Sequence, residues 1–222
     1  SLSGGYALNC PTNTHLMDKY HFKGQLIIPC VNDGGQSIGI GLHYFYQIIM
    51  DSVLPFNLHF MEIAALIIAG VPEFYHGMHP GIEQFSTDIE KEPVIWFEGR
   101  AKVGPRALGN RSILADPRKI ISRDLLNKYK QREWWRPVAP IILESQCAEW
   151  FVESKYSPFM LNNFTVHPEK KGENTAVLHI DNTARVQTIG PESELLYQAV
   201  EQFYARTGTP IVCNTSLNDK GE

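Results

Sequence analysis

The sequence predicts an α/β fold, because short apolar runs typical of buried strands alternate with amphipathic helical patterns. The strand at Val94–Phe97 (VIWF) and the helix at Glu192–Arg206 show this alternation best. At 222 residues and 43% hydrophobic, the chain is large enough for a packed core in one large domain or two small ones. It contains no apolar run of ~18 residues, so no transmembrane helix is expected.

Two elements are predicted near the amino end. Gln25–Cys30 (QLIIPC) is a short apolar run ahead of the turn Val31–Gly35, which predicts a buried strand. Ser37–Met50 repeats apolar residues at helical spacing and predicts a helix. Residues 56–80 fit neither pattern.

The second region starts near Lys91. After the strand Val94–Phe97 comes a glycine- and arginine-rich segment. Asp116-Pro117 then predicts a helix start, with the aspartate as N-cap and the proline at the first position. The apolar spacing of residues 120–129 continues that helix, and Val138–Leu143 predicts a strand.

A hairpin and a final strand complete the predicted elements. Thr175–Ile180 and Ala184–Ile189 are β-rich runs split by the turn residues 181–183, which predicts a hairpin. After the helix Glu192–Arg206, Thr209–Cys213 (TPIVC) predicts a strand that leads into Asn214.

Residues 99–118 (GRAKVGPRALGNRSILADPR) carry the strongest functional signal. Four arginines, Arg100, Arg106, Arg111 and Arg118, recur among glycines, a proline and small residues, few of which suit core packing. Arginine offers a planar fork of donors for phosphate or carboxylate, and glycine lets the backbone approach a ligand closely. This combination predicts a site for a highly charged small anion.

The charge distribution agrees with a localised anion site. The chain has a formal charge of −4, yet residues 99–136 contain eleven Lys or Arg and three Asp or Glu, a balance of +8. A general nucleic-acid binder has a broad basic face, so we expect no nucleic-acid partner. A solvated basic helix face remains the alternative for Lys119, Arg123 and Lys128.

Several longer motifs together resemble one family. They are GR…GPRALGNRSILADPR from residue 99, then Asn127…KQRE…RP at 130–137, HIDNTARVQT at 179–188 and NTSLN at 214–218. In this order they resemble the C-terminal half of the carbamoyltransferases that carbamoylate nodulation factors and antibiotics. The resemblance covers nearly the whole chain and is weakest over residues 55–90.

The resemblance implies two domains. Residues 1–90 would be the tail of a sugar kinase–actin-like carbamoyl-transfer domain. Residues 91–222 would be a YrdC-like α/β domain with a twisted mixed sheet, truncated at its C-terminus. The YrdC-like domain would make carbamoyl-adenylate from ATP and carbamoyl phosphate. The first domain would transfer the carbamoyl group to a hydroxyl acceptor with a bound divalent metal, Fe(II) or another, and Mg²⁺ is a further candidate cofactor.

The candidate residues follow from that chemistry. ATP and carbamoyl phosphate bring many negative oxygens into one pocket, which costs Coulomb energy unless fixed cations offset it. Lys130 and Arg132 are two residues apart, so in an extended segment their two cations would lie on one side. The alternative for Arg132 and Arg136 is a structural ion pair with Glu133. The catalytic candidates are Arg106, Arg111, Lys130, Arg132 and Arg136.

Two further sets are candidates for nucleotide, phosphate or metal binding. The Asn214 turn follows a strand, where hydroxyl and amide side chains can hold phosphate oxygens or a ribose edge; an ordinary turn is the alternative. Asp33 is the metal candidate by resemblance, with a helix N-cap as its alternative. The binding candidates are Arg100, Asn214, Thr215, Ser216 and Asn218, with Gly4, Gly5 and Asn9 by resemblance to a nucleotide-contacting turn.

One departure from the family pattern opens a second hypothesis. Lys102 stands where the family has a carboxylate, which reverses a charge beside the predicted phosphate site. A nucleotide or phosphate sensor that binds without turnover is therefore the alternative function. The four cysteines lack CxxC pairing, which favours a reducing cytoplasm over a disulfide scaffold. We expect small-molecule partners and no membrane partner, and a homodimer stays open.

Overall fold

The computed structural model describes residues 4–25, 28, 30–31, 35–36, 39–40, 43, 81–98 and 104–218. Its centre is a seven-stranded sheet formed by these residues, in the order β1-β2-β7-β3-β6-β5-β4. The strands are β1 (Val94–Phe97), β2 (Arg111–Ala115), β3 (Ala139–Leu143), β4 (Phe151–Val152), β5 (Asn162–Val166), β6 (Thr183–Ile189) and β7 (Ile211–Ser216).

The sheet is mixed. β3 and β6 run parallel, whereas the other neighbouring pairs are antiparallel. β7 lies between β2 and β3, so that Asn214 is opposite both Leu114 and Ala139. The α/β class with a mixed sheet is therefore confirmed, while the assignments to a sugar kinase–actin-like and a YrdC-like domain, and the boundary at residue 90, stay predictions.

Helices cover both faces of the sheet. Because side chains alternate along a strand, Leu114 and Ile113 point to opposite faces. Leu114 packs with Phe85 of the helix Gly81–Asp88 and with Phe203 of the helix Glu194–Thr207. Ile113 packs with Leu126 of the helix Ile120–Tyr129. The α-helices among the described residues are α1 (Cys10–Tyr20), α2 (Gly81–Asp88), α3 (Ile120–Tyr129), α4 (Cys147–Trp150) and α5 (Glu194–Thr207).

Helix α1 docks on β5 through polar contacts that span about two thirds of the chain. The side chain of Asn13 donates to the carbonyls of Ala7 and Leu161, both at 2.8 Å. Thr14 Oγ1 donates to the Asn163 carbonyl and accepts from the Asn163 amide, each at 3.0 Å. These bonds satisfy backbone groups on β5 and fix α1 against this end of the sheet.

Several predicted elements are confirmed with small shifts at their ends. The strand Val94–Phe97 has the predicted bounds. The predicted strand Val138–Leu143 begins one residue later, and the helix predicted at Glu192–Arg206 spans Glu194–Thr207. The final strand is displaced toward the carboxyl end and includes Asn214.

Two predictions are wrong. Residues 175–180 form turns and irregular backbone instead of a strand, and β6 pairs with β3 and β5. The apolar residues there, Ala176 and Val177, are buried because they cover one face of the sheet. Asp116 does not cap α3, which begins after Lys119; its carboxylate instead accepts from the amide and the guanidinium of Arg118.

The strand predicted at Gln25–Cys30 and the helix predicted at Ser37–Met50 fall largely outside the described residues. Within the described part of the chain, no helix is long and apolar enough to cross a membrane.

Candidate functional site

Three arginines from distant parts of the sequence meet at one cavity of about 110 Å³. Arg106 comes from the loop between β1 and β2, Arg132 from the segment after α3, and Arg185 from β6. The other lining residues are mostly small or polar: Pro105, Ala107, Pro137, Val138, Ala139, Met160, Asn214, Thr215 and Ser216.

The loop carrying Arg106 has a backbone that depends on glycine. Gly104 and Gly109 have φ of 92° and 91°, and Leu108 also lies in the left-handed region at 54°. A Cβ atom on Gly109 would lie 2.3 Å from Cδ2 of Leu196 in α5, so the loop also needs this close approach. The glycine-rich sequence predicted a close backbone approach here, and Gly109 is where the loop requires it.

A chain of amide hydrogen bonds fixes the same loop to the sheet. Gln187 of β6 donates from Nε2 to the carbonyl of Leu108 at 3.1 Å. Asn214 of β7 donates from Nδ2 to Oε1 of Gln187 at 3.3 Å. Gln187 and Asn214 are both 3% exposed, so water competes little for these bonds. The loop therefore holds its position relative to the cavity floor.

Arg132 is oriented by Asn127 at the end of α3. Oδ1 of Asn127 accepts from Arg132 Nε at 2.6 Å, and Nδ2 donates to the carbonyls of Trp134 and Arg136. Asn127 is buried, so one side chain shapes the whole turn after the helix. This leaves Nη2 of Arg132 buried, with no hydrogen-bond partner in the described residues.

Arg185 was missed in the sequence analysis. It lies on β6 directly opposite Asn163 of β5 and shares a strand face with Gln187. Its Nε atom is buried and lacks a partner within the described part of the chain, as does Nε of Arg106. The available signal was a charged residue between the apolar residues Ala184 and Val186 of a strand, because such residues are rarely buried without a function.

The guanidinium groups repel one another. Burial, followed by the charges of Arg106 and Arg132, lowers the pKa of Arg185 to about 10. Burial, and then the charge of Arg136, likewise lowers the pKa of Arg132. Near pH 7 both groups stay protonated, and a bound anion would relieve this repulsion.

The start of α1 reaches the same place. Cys10 Sγ donates to the carbonyl of Met160, a cavity-lining residue, at 3.2 Å. Burial raises the pKa of the Cys10 thiol, and the nearby charges of Arg185 and Arg106 oppose that rise. The thiol therefore stays neutral and serves as a packing group behind two of the arginines.

The structure separates the predicted catalytic residues. Arg106 and Arg132 line the cavity, whereas Arg111 begins β2 opposite Phe97 and is absent from the described lining. Lys130 Nζ donates to the carbonyl and Oδ1 of Asn218. Arg136 pairs with Glu133 at 2.7 Å with half of each side chain exposed, which is the alternative that the sequence left open for it.

One geometric expectation is wrong. Residues 130–132 do not form an extended segment, since Lys130 is the C-cap of α3 and Gln131 has a φ of 48°. The two side chains therefore point to different places: Lys130 binds Asn218, and Arg132 lines the cavity. Of Lys130 and Arg132, only Arg132 is among the described residues that line the cavity.

The other binding candidates occupy different positions. Asn214, Thr215 and Ser216 line the cavity as the end of β7, and Ser216 Oγ donates to Oδ1 of Asn218. Gly4 and Gly5 precede and begin a short 3₁₀ turn, and Oδ1 of Asn9 accepts from Thr12 to cap α1. Arg100, Lys102 and Asp33 lie outside the described residues, so their roles stay predictions.

Other charged groups outside the cavity have structural partners. Arg118 pairs with Asp116 at 2.7 Å and with Glu90 at 3.2 Å, and these carboxylates raise its pKa.

Among the described residues no three His, Cys, Asp or Glu side chains gather as a metal site. Trp134 and Trp135 are exposed.

Comparison with known proteins decides the family. A family model described as "Carbamoyltransferase C-terminus" matches residues 87–222. The chain belongs to this carbamoyltransferase family. The match includes every described residue that lines the cavity of Arg106, Arg132 and Arg185. The resemblance seen in the sequence motifs is thereby confirmed.

Curated relatives agree with the carbamoyltransferase assignment. The chain is 33% identical to a 3'-hydroxymethylcephem-O-carbamoyltransferase from Amycolatopsis lactamdurans, over 100% of this chain and 42% of that protein. It is 34% identical to nodulation protein U from Rhizobium tropici, over 99% of this chain and 38% of the relative. The chain thus spans about two fifths of the length of these relatives.

Proposed function

We propose that this chain provides the part of an O-carbamoyltransferase that binds ATP and carbamoyl phosphate and forms carbamoyl-adenylate. The observation that carries the proposal is the cavity at which Arg106, Arg132 and Arg185 converge. No carboxylate is among the described lining residues, so the site has a surplus of positive charge. Family membership and the names of the relatives support carbamoyl transfer as the reaction of the whole protein.

The proposed chemistry places high demands on such a site. Carbamoyl phosphate and water give carbamate and phosphate, and a carbamate oxygen then attacks the α-phosphorus of ATP. The bond between that phosphorus and the oxygen bridging to the β-phosphate breaks, and pyrophosphate leaves. Each step concentrates negative charge, which fixed guanidinium groups would stabilise.

Each lining group has a proposed role. Arg106, Arg132 and Arg185 bind the phosphate of carbamoyl phosphate and then stabilise charge on the α-phosphate of ATP. Their unsatisfied nitrogens are the atoms best placed to donate, because a bound oxygen would supply the partner that each lacks among the described residues. Thr215 and Ser216 offer hydroxyl groups at the same wall.

The metals take no assigned step. The described lining has no carboxylate to ligate Mg²⁺, so a magnesium ion would be held by the phosphates of ATP. Asp33 as a ligand of Fe(II) or another divalent metal stays a proposal for the full-length protein. Transfer to a hydroxyl acceptor and assembly as a homodimer are likewise proposals for the full-length protein.

The test combines binding with turnover. Inorganic phosphate and carbamoyl phosphate should raise the melting temperature of the protein, since both bind the native state. Adding ATP with carbamoyl phosphate should release pyrophosphate, and Arg106→Ala or Arg132→Ala should slow that release by ~100-fold or more. Wild-type rates in both variants would refute the assignment.

The same assay separates the alternative function. Lys102 supports a sensor that binds nucleotide or phosphate without turnover. Tight binding of ATP without pyrophosphate release from the full-length protein would favour the sensor. Absence of any stabilisation by phosphate, carbamoyl phosphate or ATP would contradict both functions.

A further inference from the structure

The cavity contains one group of opposite hydrogen-bonding character. Its arginines can only donate, and the hydroxyls of Thr215 and Ser216 can donate or accept. Oδ1 of Asn214 can only accept, is buried, and has no hydrogen-bond partner among the described residues. An isolated buried acceptor is costly, and this one belongs to a residue that lines a cavity, so a ligand with a donor would stabilise it.

The orientation of that oxygen is imposed from outside the cavity. The Leu108 carbonyl can only accept, so it requires the NH₂ group of Gln187 at 3.1 Å. Oε1 of Gln187 then faces Asn214 and requires its NH₂ group at 3.3 Å. The amide of Asn214 therefore has its nitrogen committed to Gln187 and its oxygen on the other side.

Register places Asn214 on the sheet face that lines the cavity. Asn214 lies opposite Ala139, which also lines the cavity and leaves room there because its side chain is a methyl group. Arg185 shares the strand face of Gln187, two residues away on β6. Donors for a phosphate and an acceptor for an amine are thus side by side.

Carbamoyl phosphate carries both complementary groups. Its phosphate accepts from arginine, and its amino group has two N–H donors. Acetyl phosphate has the same charge and nearly the same shape, with a methyl group in place of the amino group. We propose that Asn214 is the specificity residue that recognises the carbamoyl amino group, through a hydrogen bond to Oδ1; this rests on the proposed binding of carbamoyl phosphate.

The expected discrimination has a physical scale. With acetyl phosphate bound, Oδ1 would stay buried without a donor, while the phosphate contacts would be unchanged. A missing partner for one buried polar group lowers affinity by about 10- to 100-fold. The protein should therefore prefer carbamoyl phosphate over acetyl phosphate by about this factor.

The experiment measures this ratio by calorimetric titration with carbamoyl phosphate, acetyl phosphate and inorganic phosphate. Asn214→Val removes the acceptor and keeps the β-branched shape that suits a strand. It should lower the ratio to about 2-fold or less. The affinity for inorganic phosphate, measured in parallel, reports how far the lost bond to Gln187 disturbs the Arg106 loop.

A second variant acts on the orientation of Asn214. It also removes the bond from Gln187 to the Leu108 carbonyl, so the affinity for inorganic phosphate is measured beside the ratio. Gln187→Met leaves Asn214 in place but removes the bond that commits its nitrogen, so the ratio should fall by about 5-fold or more. Asn174→Val is the matched control, because Asn174 is another buried asparagine whose Oδ1 lacks a partner in the described residues, and it lies outside the cavity lining. It should keep the wild-type ratio.

The outcomes separate this inference from the proposed function. Equal affinity of the wild-type protein for carbamoyl and acetyl phosphate would overturn the role of Asn214 and leave the anion site intact. An unchanged preference in both Asn214→Val and Gln187→Met would do the same. Failure of the wild-type protein to bind any of the three ligands would overturn the proposed function, and this inference with it.

Discussion

Oδ1 of Asn127 accepts a hydrogen bond of 2.6 Å from Nε of Arg132. This contact joins the last turn of α3 to the cavity, and the same side chain donates to two carbonyls of the following loop. One residue thus sets both the path of the chain and the direction of a guanidinium group.

Asn127→Ala should weaken both properties. Three hydrogen bonds are lost from a buried position, so the free energy of unfolding should fall by about 2–3 kcal/mol. Arg132 would lose its fixed orientation, and the affinity for inorganic phosphate should drop by about 5- to 10-fold. Urea denaturation and calorimetry measure the two effects. Wild-type phosphate affinity in this variant would show that Arg132 does not depend on Asn127.

Arg185→Met should change binding and stability in opposite directions. The variant removes one of three like charges that have no carboxylate among the described lining, so the free energy of unfolding should rise by about 1 kcal/mol. Phosphate affinity should fall by about 10- to 100-fold, since a charged donor is lost.

Arg118→Met is the control for Arg185→Met. It leaves the buried carboxylate of Asp116 without its 2.7 Å partner, so the protein should lose about 3 kcal/mol of stability. Phosphate affinity should stay within about 2-fold of wild type, because Arg118 belongs to a structural network. A destabilised Arg185→Met protein that still binds phosphate would contradict the assigned role of Arg185.

Gly109→Ala should strain the arginine loop. A new Cβ would lie 2.3 Å from Leu196 Cδ2, in a backbone with a φ of 91°, so we expect a loss of about 2 kcal/mol or more. Adding Leu196→Ala should offset part of that penalty in a double-mutant cycle, since it removes the contact and leaves the backbone strain. Gly172→Ala, with open space around it, should be near neutral. An additive cycle would argue against the contact.

His179 should make stability depend on pH. Burial lowers its pKa from the usual 6.5, Arg185 adds to that effect, and Asp181 opposes it. The unfolded chain therefore binds a proton more readily, so stability rises with pH through the region just below 6.5 and falls as pH drops through it.

The measurement compares the urea midpoints of the wild-type and His179→Gln proteins at about pH 5.5 and about pH 7.5. The difference between the two pH values should be smaller in the variant, which also lacks the 3.1 Å contact of Nδ1 with Thr183 Oγ1. An equal pH dependence in both proteins would exclude His179 as its source.

The sequence predicted local features of the site better than its assembly. Arg106 was predictable because the glycines around it leave few roles other than ligand binding. Arg185 left only a local signal, a charge between two apolar residues, because its place at the cavity depends on β6 lying between β3 and β5. Lys130 and Asn218 were both candidates, yet only the structure shows that they bind each other.

The strand errors have a similar origin. β5 starts with Asn162 and Asn163, polar residues that usually indicate a loop, and they are buried here beside α1 and β6. Residues 175–180 are apolar enough for a strand but lie over the sheet, where Ala176 donates to the Pro117 carbonyl. Both cases depend on tertiary neighbours that local patterns do not contain.

The central position of β7 orders the assembly of the protein in time. Without β7, the hairpin of β1 and β2 has no neighbour in the sheet that joins it to β3, because β7 alone pairs with both β2 and β3 within the described residues. Pairing across such sequence distances is slow, since the long loops must close first. A growing chain on the ribosome therefore has Arg106, Arg132 and Arg185 before it has β7, the strand that joins the two parts of the sheet around the cavity.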